Sequence, residues 1–325
     1  MRRRVLLVLA VALLLPTAPA AAGGGRSAIF YYPWYGVPRL DGAYQHWQQN
    51  GARPPHSISS AYFPARGIYS CSDRLVLAAQ MAEIKGAGVD QVVISWWGRG
   101  SIEDARLRAV VTAARRQGLG VAAHVEPYGD RTGATVEADV AYLQRLGMTD
   151  VYLYAPQDVP VEEWAALNAR LRGARVFAQT PFPGYGAAGR FDGVYTYDVL
   201  SYGGGFLGRY CDQARAVGLL CAPSVGPGYD ARRAVGDPRL KPRRRGRTYD
   251  SMWRAALRAR ADVVTITSYN EWHEGTQIEP ARARLGGDGR QYLGYDGAWG
   301  RTGAEAERAY LDRTAFWTAR LRARR

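Results

Sequence analysis

Short runs of β-branched and aromatic residues alternate along this chain with longer stretches in which apolar positions recur at steps of three and four. Eight such runs stand out, at residues 28–35, 89–97, 119–128, 150–154, 174–180, 193–197, 219–225 and 262–268. Each is apolar almost without interruption, the pattern of a strand covered on both faces. Between them the pattern turns helical. Residues 73–87 put Leu77, Met81 and Ile84 on one face, and residues 102–117, 136–146 and 247–260 behave alike. Gly86, Gly88, Gly118 and Gly147 fall where those helices should stop. Eight strands with intervening helices predict a single-domain α/β fold, the (β/α)8 TIM barrel. A doubly wound sheet has fewer strands and a Gly-rich phosphate turn after its first, and no GxGxxG follows a strand here. Two places look irregular: residues 182–192, rich in Gly and Pro, leave little room for a helix, and residues 36–72 form a long connection. Long loops at strand C-termini are where barrels keep their active sites.

The 325 residues comfortably cover one such domain. At the N-terminus Arg2, Arg3 and Arg4 precede an apolar run from Val5 to Leu15 and then small residues around Ala18, Ala20 and Ala22. This pattern predicts a cleaved signal peptide over 1–22, a short linker at 23–27, the barrel over 28–325 and a secreted protein. The run is too short, and too soon followed by Pro16, to span a bilayer, so no stable membrane insertion is expected.

Net charge is +14, falling to +11 once the three leader arginines are removed. The excess is mostly Arg scattered over helix faces and not interleaved with aromatics, so no nucleic-acid partner is expected. The dense basic stretch 241–247 contains Pro242 and Gly246 and reads as a solvated loop, with contact to an anionic or phosphorylated glycan as the alternative. Three cysteines give no disulfide framework, and whether Cys211 and Cys221 pair is open. Four histidines without ligand spacing predict no metal, and no cofactor is called for.

The strand ends share a composition. YYPWYG (31–36), SWWG (95–98), HVEPY (124–128), YTY (195–197) and SYNEWHE (268–274) gather aromatic and acidic residues. In a barrel these termini converge on one mouth. Aromatic faces suit the C–H faces of sugars, and carboxylates and imidazoles suit their hydroxyls. Glu271 and Glu274, three residues apart after the eighth strand, can both face that mouth with pKa values pushed apart. Glycoside cleavage needs such a pair. Glu279, just before Pro280, reads as a structural carboxylate.

FYYPWYG (30–36), DGAYQHW (41–47), HVEPY, FDGVYTY (191–197), PSVGPGYD (223–230) and ITSYNEWHEGTQIEP (266–280) resemble glycoside hydrolase family 99, the endo-α-mannosidases and endo-α-mannanases, over residues 30–310. The resemblance implies a (β/α)8 barrel and cleavage of internal α-mannosidic linkages with retention through a 1,2-anhydro sugar. Glu271 is then the base on the 2-hydroxyl and Glu274 the general acid and base. It also nominates Tyr32, Trp34, Trp96, His124, Glu126, Tyr128, Tyr197 and Asn270 as sugar contacts; which of Tyr31/Tyr32 and Trp96/Trp97 points inward is open. The implied partner is α-mannan or another mannose-containing glycan, bound by a monomer. The short segment 97–100 departs from members with a longer loop there, and leaves the outer-subsite sugar open. A related α-glucan hydrolase and a glycan-binding barrel without turnover are the alternatives.

Overall fold

The computed structural model describes residues 25–324. The expected leader at 1–22 lies outside the described residues. Strands and helices follow one another as β1 Arg26–Tyr31, α1 Pro38–Asp41, α2 Arg74–Gly86, β2 Gln91–Trp96, α3 Ile102–Arg116, β3 Gly120–Val125, α4 Gly133–Arg145, β4 Asp150–Leu153 and α5 Val161–Arg170. The second half runs β5 Arg175–Gln179, α6 Pro183–Ala188, β6 Gly193–Tyr195, α7 Gly204–Ala216, β7 Leu220–Ala222, β8 Ser224–Val225, β9 Tyr229–Asp230, β10 Leu240–Lys241, α8 Arg247–Arg258 and β11 Val263–Ile266. A small hairpin, β12 Arg284–Leu285 with β13 Gln291–Tyr292, precedes α9 Gly303–Glu307 and α10 Ala309–Arg322.

The sheet order is β7-β6-β5-β4-β3-β2-β1-β11-β8, with every pairing in this sheet parallel. Each of the eight expected runs carries a strand, and the seventh is broken in two. Pro223 has no amide hydrogen to give to a ladder, so the strand divides there. Its first piece, β7, pairs with β6, and its second, β8, pairs with β11. The ring closes through this split strand: the Pro223 carbonyl accepts from Thr265 N–H (3.1 Å) and Ser224 N–H donates to Thr196 Oγ1 (2.9 Å).

Side chains alternate across each strand. Ala28, Phe30, Tyr32, Val93, Ala122, Tyr152, Phe177, Tyr195 and Tyr197 pack into the lumen, whereas Ile29, Tyr31, Val92, Ile94 and Trp96 pack outward against helices. Stacked Tyr152 and Phe177 (ring centroids 4.8 Å apart), with Phe30 and Tyr195, fill the barrel beneath the mouth. Residues at the strand N-termini serve stability: buried Asp150 grips Arg175 through both carboxylate oxygens and receives Gln91.

The helices start where the sequence supplies caps. Asp73 accepts from Leu75 N–H, Ser101 from Asp104 N–H, and Thr132 with Thr135 forms a reciprocal capping box. That box starts α4 three residues earlier than the apolar spacing suggests. Gly88, Gly118 and Gly147 follow helices with positive φ, as expected of C-terminal stops. The irregular fifth unit holds a short helix: Pro183 opens a six-residue α6 in the space expected to leave little room for one. β1 also starts at Arg26, within the expected linker. Cys211 on α7 and Cys221 on β7 are joined in a disulfide, while Cys71 is free and buried. No helix among the described residues is long and apolar enough to cross a membrane.

Candidate active site

β11 delivers residues 268–274 to the barrel mouth, and this segment is held by the loop's own backbone. Ser268 N–H donates to the Thr276 carbonyl, and Ile278 and Glu279 N–H both donate to the Tyr269 carbonyl. Gly275 (φ +63°) turns the chain against Asp230, where a Cβ would lie 2.9 Å from the Asp230 carbonyl oxygen, so only glycine fits. Asn270 pins the segment to β1: its Oδ1 accepts Tyr32 N–H (2.8 Å) and its Nδ2 donates to the Tyr32 carbonyl (2.9 Å). Arg243 secures the far end. It is buried, lies 4.5 to 4.7 Å over the rings of Tyr62, Tyr295 and Tyr310, and donates to the carbonyls of Gly275 and Gln277. The solvated-loop expectation for 241–247 is therefore wrong at this residue, because stacked aromatics replace water around the guanidinium.

Glu279 has the structural role expected of it. Fully buried, it pairs with Arg66 (2.7 Å) and accepts from Tyr69 Oη, Gln80 Nε2 and Trp272 Nε1. Removing one partner of such a pair strands the other. Glu279→Ala is expected to destabilise the fold by about 3–5 kcal/mol, read by urea denaturation. A loss under about 1 kcal/mol, the size of a surface pair, would contradict the role.

A cavity of about 430 Å³ opens above this segment, with Trp34, His46, Trp97, Glu103, Tyr197, Tyr229, Glu271, His273 and Glu274 in its wall. A second, of about 190 Å³, is lined by Tyr154, Gln179, Asp198, Tyr202 and Arg239 and shares Tyr197, Tyr229 and Glu274 with the first. Glu274 thus stands at the junction of two spaces. Glu271 Oε2 accepts Glu274 N–H (2.5 Å), while Glu271 Oε1 is buried and has no hydrogen-bond partner among the described residues. Tyr197 holds a left-handed backbone (φ 51°), a strained state for a non-glycine. Its hydroxyl meets Tyr32 Oη at 2.5 Å and donates to Glu274 Oε2 at 3.4 Å.

Burial pushes the Glu274 carboxyl up to about 7, helped by the field of Asp198. Glu271 also sits well above the ordinary carboxylate range, through burial first and repulsion from Glu274 second, opposed by the backbone amides of Glu274 and His273. Two acids this close titrate as a pair. Amides aimed at Glu271 favour negative charge there and so oppose its burial. Beside them, Trp34, His46 and His273 stack in a ladder (centroids 5.0 and 5.6 Å apart), and burial lowers His46 to about 4 and His273 to about 3, so both are neutral at pH 7.

Of the expected site residues, Trp34, Tyr197, Glu271 and Glu274 lie in the cavity wall. Tyr32, His124 and Glu126 form the layer below it: His124 Nδ1 lies 3.0 Å from Glu126 Oε1, its Nε2 lies 2.9 Å from Tyr195 Oη, and Glu126 accepts Ser95 Oγ–H. Tyr128 lines neither cavity; its ring packs against Gly98 and its hydroxyl is bound to Asp139. Two nominations as sugar contacts are corrected. Asn270 is fully buried with both ends of its amide on the Tyr32 backbone, and Trp96 is fully buried on the helix side, donating to Asp104 and stacking near Tyr142. Trp97 faces the cavity instead. Strand parity carries this signal, since Val93, Ser95 and Trp97 share a face. His46, Tyr229 and His273 also line the wall; they sit inside the motif segments but without assigned roles. Glu103 was missed, having only an unremarkable place in the first turn of α3.

The sequence profile of Glycosyl hydrolase family 99 matches residues 26–167 and 178–323, nearly the whole barrel. This chain belongs to that family. The family 99 chain is 33% identical to a glycoprotein endo-alpha-1,2-mannosidase-like protein of Danio rerio, covering 78% of this chain and 70% of that protein. It is 31% identical to the glycoprotein endo-alpha-1,2-mannosidase of Xenopus laevis, covering 78% and 69%. The solved structure of the GH99 endo-alpha-mannosidase from Bacteroides thetaiotaomicron, in complex with bis-tris-propane, superposes with a TM-score of 0.82 at 28% identity, over 92% of this chain and 97% of that one. The family 99 barrel therefore extends across the described residues.

Proposed function

We propose that this glycoside hydrolase is a secreted, monomeric endo-α-mannosidase that cleaves internal α-mannosidic linkages with retention, through a 1,2-anhydro sugar. The observation that carries the reading is Glu274, a buried carboxyl with its pKa raised to about 7, at the junction of two cavities and three residues from a second buried acid. A glycan threaded through both cavities presents one glycosidic oxygen at that junction, which is the geometry of internal cleavage.

In the first step Glu271 takes the proton of the 2-hydroxyl through Oε1, the oxygen left without a partner. O2 attacks C1, the C1–oxygen bond to the leaving chain breaks, and Glu274 gives its proton to that oxygen. In the second, Glu274 takes a proton from water, the resulting hydroxide attacks C1, and the C1–O2 bond opens as O2 recovers its proton from Glu271. Two inversions at C1 give net retention. Tyr197, braced by Tyr32, orients Glu274, and Trp34 and Trp97 offer aromatic faces to sugar rings. A leader-borne secreted enzyme would meet free mannan or shed glycoprotein glycans.

Incubation with α-mannan and with a glucosylated high-mannose glycan, followed by mass analysis and NMR of the first-formed anomer, tests the reading. Release of short oligosaccharides in the α configuration is expected, and a β first product would rule out the anhydro route. An acid that must be protonated also sets the pH profile. kcat/KM is expected to fall about tenfold per pH unit above about 7, measured between pH 5 and 9. A profile flat to pH 9 would remove Glu274 from the acid role.

A further inference from the structure

A third cavity, of about 650 Å³, lies between the start of α7 and the turn from β10 into α8, and neither carboxylate of the catalytic pair lines it. Its wall carries Lys241, Arg244 and Arg247, together with Thr248, Ser251 and the first residues of α7, Gly203 and Gly204. Among the described residues none of the three cations has a carboxylate within ion-pair distance. Asp198, whose field reaches Lys241, spends its Oδ1 on the amides of Leu200 and Ser201.

The placement of Lys241 is electrostatically costly as it stands. The Lys241 ammonium is half-buried, bonded to the Val199 carbonyl, and lies 3.9 Å from where a Cβ on Gly203 would be. Gly203 is the N-cap of the thirteen-residue α7 and brings no side chain to cap it. A cation therefore sits at the positive end of a helix, where the macrodipole favours an anion. Arg244 and Arg245 both adopt left-handed backbone (φ 50° and 54°), a strained pair that turns the chain into α8 and leaves Arg244 in the wall. Three positive side chains without a carboxylate partner, the uncapped first amides of α7 and the Ser251 hydroxyl line one concavity, while the Thr248 hydroxyl donates to the Pro242 carbonyl. A doubly charged tetrahedral oxyanion is the ligand chemistry that such a set of donors suits.

We propose that this cavity is a binding site for a phosphate group. Its existence does not depend on the catalytic reading. The group has two sources, free phosphate or a phosphate ester on a glycan. The second cavity, which adjoins Glu274, reaches Tyr202 and Arg239, and the basic cavity begins one residue beyond the first and two beyond the second, at Gly203 and Lys241. A glycan lying past Glu274 is thus led toward it.

The test is calorimetric titration of the full protein with inorganic phosphate and with mannose 6-phosphate, using chloride and neutral mannose as controls. Saturable one-to-one binding of phosphate is expected. It should weaken at least about tenfold when Arg244→Ala and Arg247→Ala are combined, and stay unchanged in Glu274→Gln. The melting temperature and turnover of an uncharged substrate check that the double variant is folded; should it not be, Arg247→Gln alone is the milder variant, with the same direction of change. Tighter binding of mannose 6-phosphate supports a glycan-borne group, and equal binding supports free phosphate. No saturable binding of either, or binding equal in wild type and the arginine variants, overturns the proposal.

Discussion

Glu274→Gln is expected to lower kcat at least a hundredfold, within the ~100- to 10,000-fold range of a lost general acid, while leaving KM within a few-fold and the fold intact. The backbone explains the selectivity. Contacts that shape the turn run through the main chain of residue 274, whose N–H reaches Glu271 and whose carbonyl accepts from Asp230 N–H, and glutamine keeps both. What disappears is the proton for the leaving oxygen and, afterwards, the base for water. A substrate with an acidic phenol as leaving group needs no proton in the first step, so its loss there should be smaller. Near-normal turnover of a natural glycan would remove Glu274 from the mechanism.

The same variant should be more stable than the parent in alkali. A buried carboxyl whose folded pKa is raised from 4.5 to about 7 favours the folded state below its unfolded pKa, and that advantage is lost as pH rises through 7. Glutamine has no proton to lose. Its stability advantage over the parent should be absent below pH 4.5 and approach about 3 kcal/mol above pH 7, at about 1.4 kcal/mol per pKa unit. Denaturant melts at pH 4.5 and 8 measure the difference.

The second large effect belongs to the substrate. A glycan whose reacting mannose lacks the 2-hydroxyl is expected to bind with affinity within about tenfold of the parent and to react at least about a thousandfold more slowly, because its internal nucleophile is missing. The contrast with a carboxylate nucleophile gives the experiment its force. Removing an electron-withdrawing 2-hydroxyl eases positive charge at C1, so an enzyme that attacked with Glu271 itself should retain turnover on the deoxy sugar. Competition binding together with single-turnover kinetics separates affinity from chemistry. Efficient cleavage would sink the assignment of Glu271 as a base on the sugar.

How much of this was legible beforehand depended on period. Each of the eight apolar runs gave a barrel strand, the seventh in two pieces, because a strand buried on both faces leaves an unmistakable composition. The mouth of the barrel was legible as well, since Trp34, Tyr197, Glu271 and Glu274 all come from strand ends rich in aromatic and acidic residues. Orientation was harder. Trp96 and Trp97 differ only in parity, and the parity of β2 is decided by which neighbours fill the lumen. Asn270 looks like a sugar ligand in sequence and behaves as a backbone clamp, because an amide can imitate a missing strand neighbour. Arg243 was hidden in a charge run whose other arginines do face solvent. Its three aromatic partners lie at positions 62, 295 and 310, a convergence that only the fold brings about.

The Asn270 clamp has a consequence for how activity is gained and lost. Tyr32 and Asn270 are 238 residues apart, and the two hydrogen bonds between them form only when the first and last strands of the ring meet. The acid pair follows Asn270 directly, so it has no fixed position until that meeting takes place. A half-translated or half-unfolded chain, however much of its helical shell it retains, then has no working acid. Heat inactivation should accompany the opening of the ring instead of preceding it as a local fraying of the mouth, and turnover becomes a reporter of whether the two ends of the chain are joined.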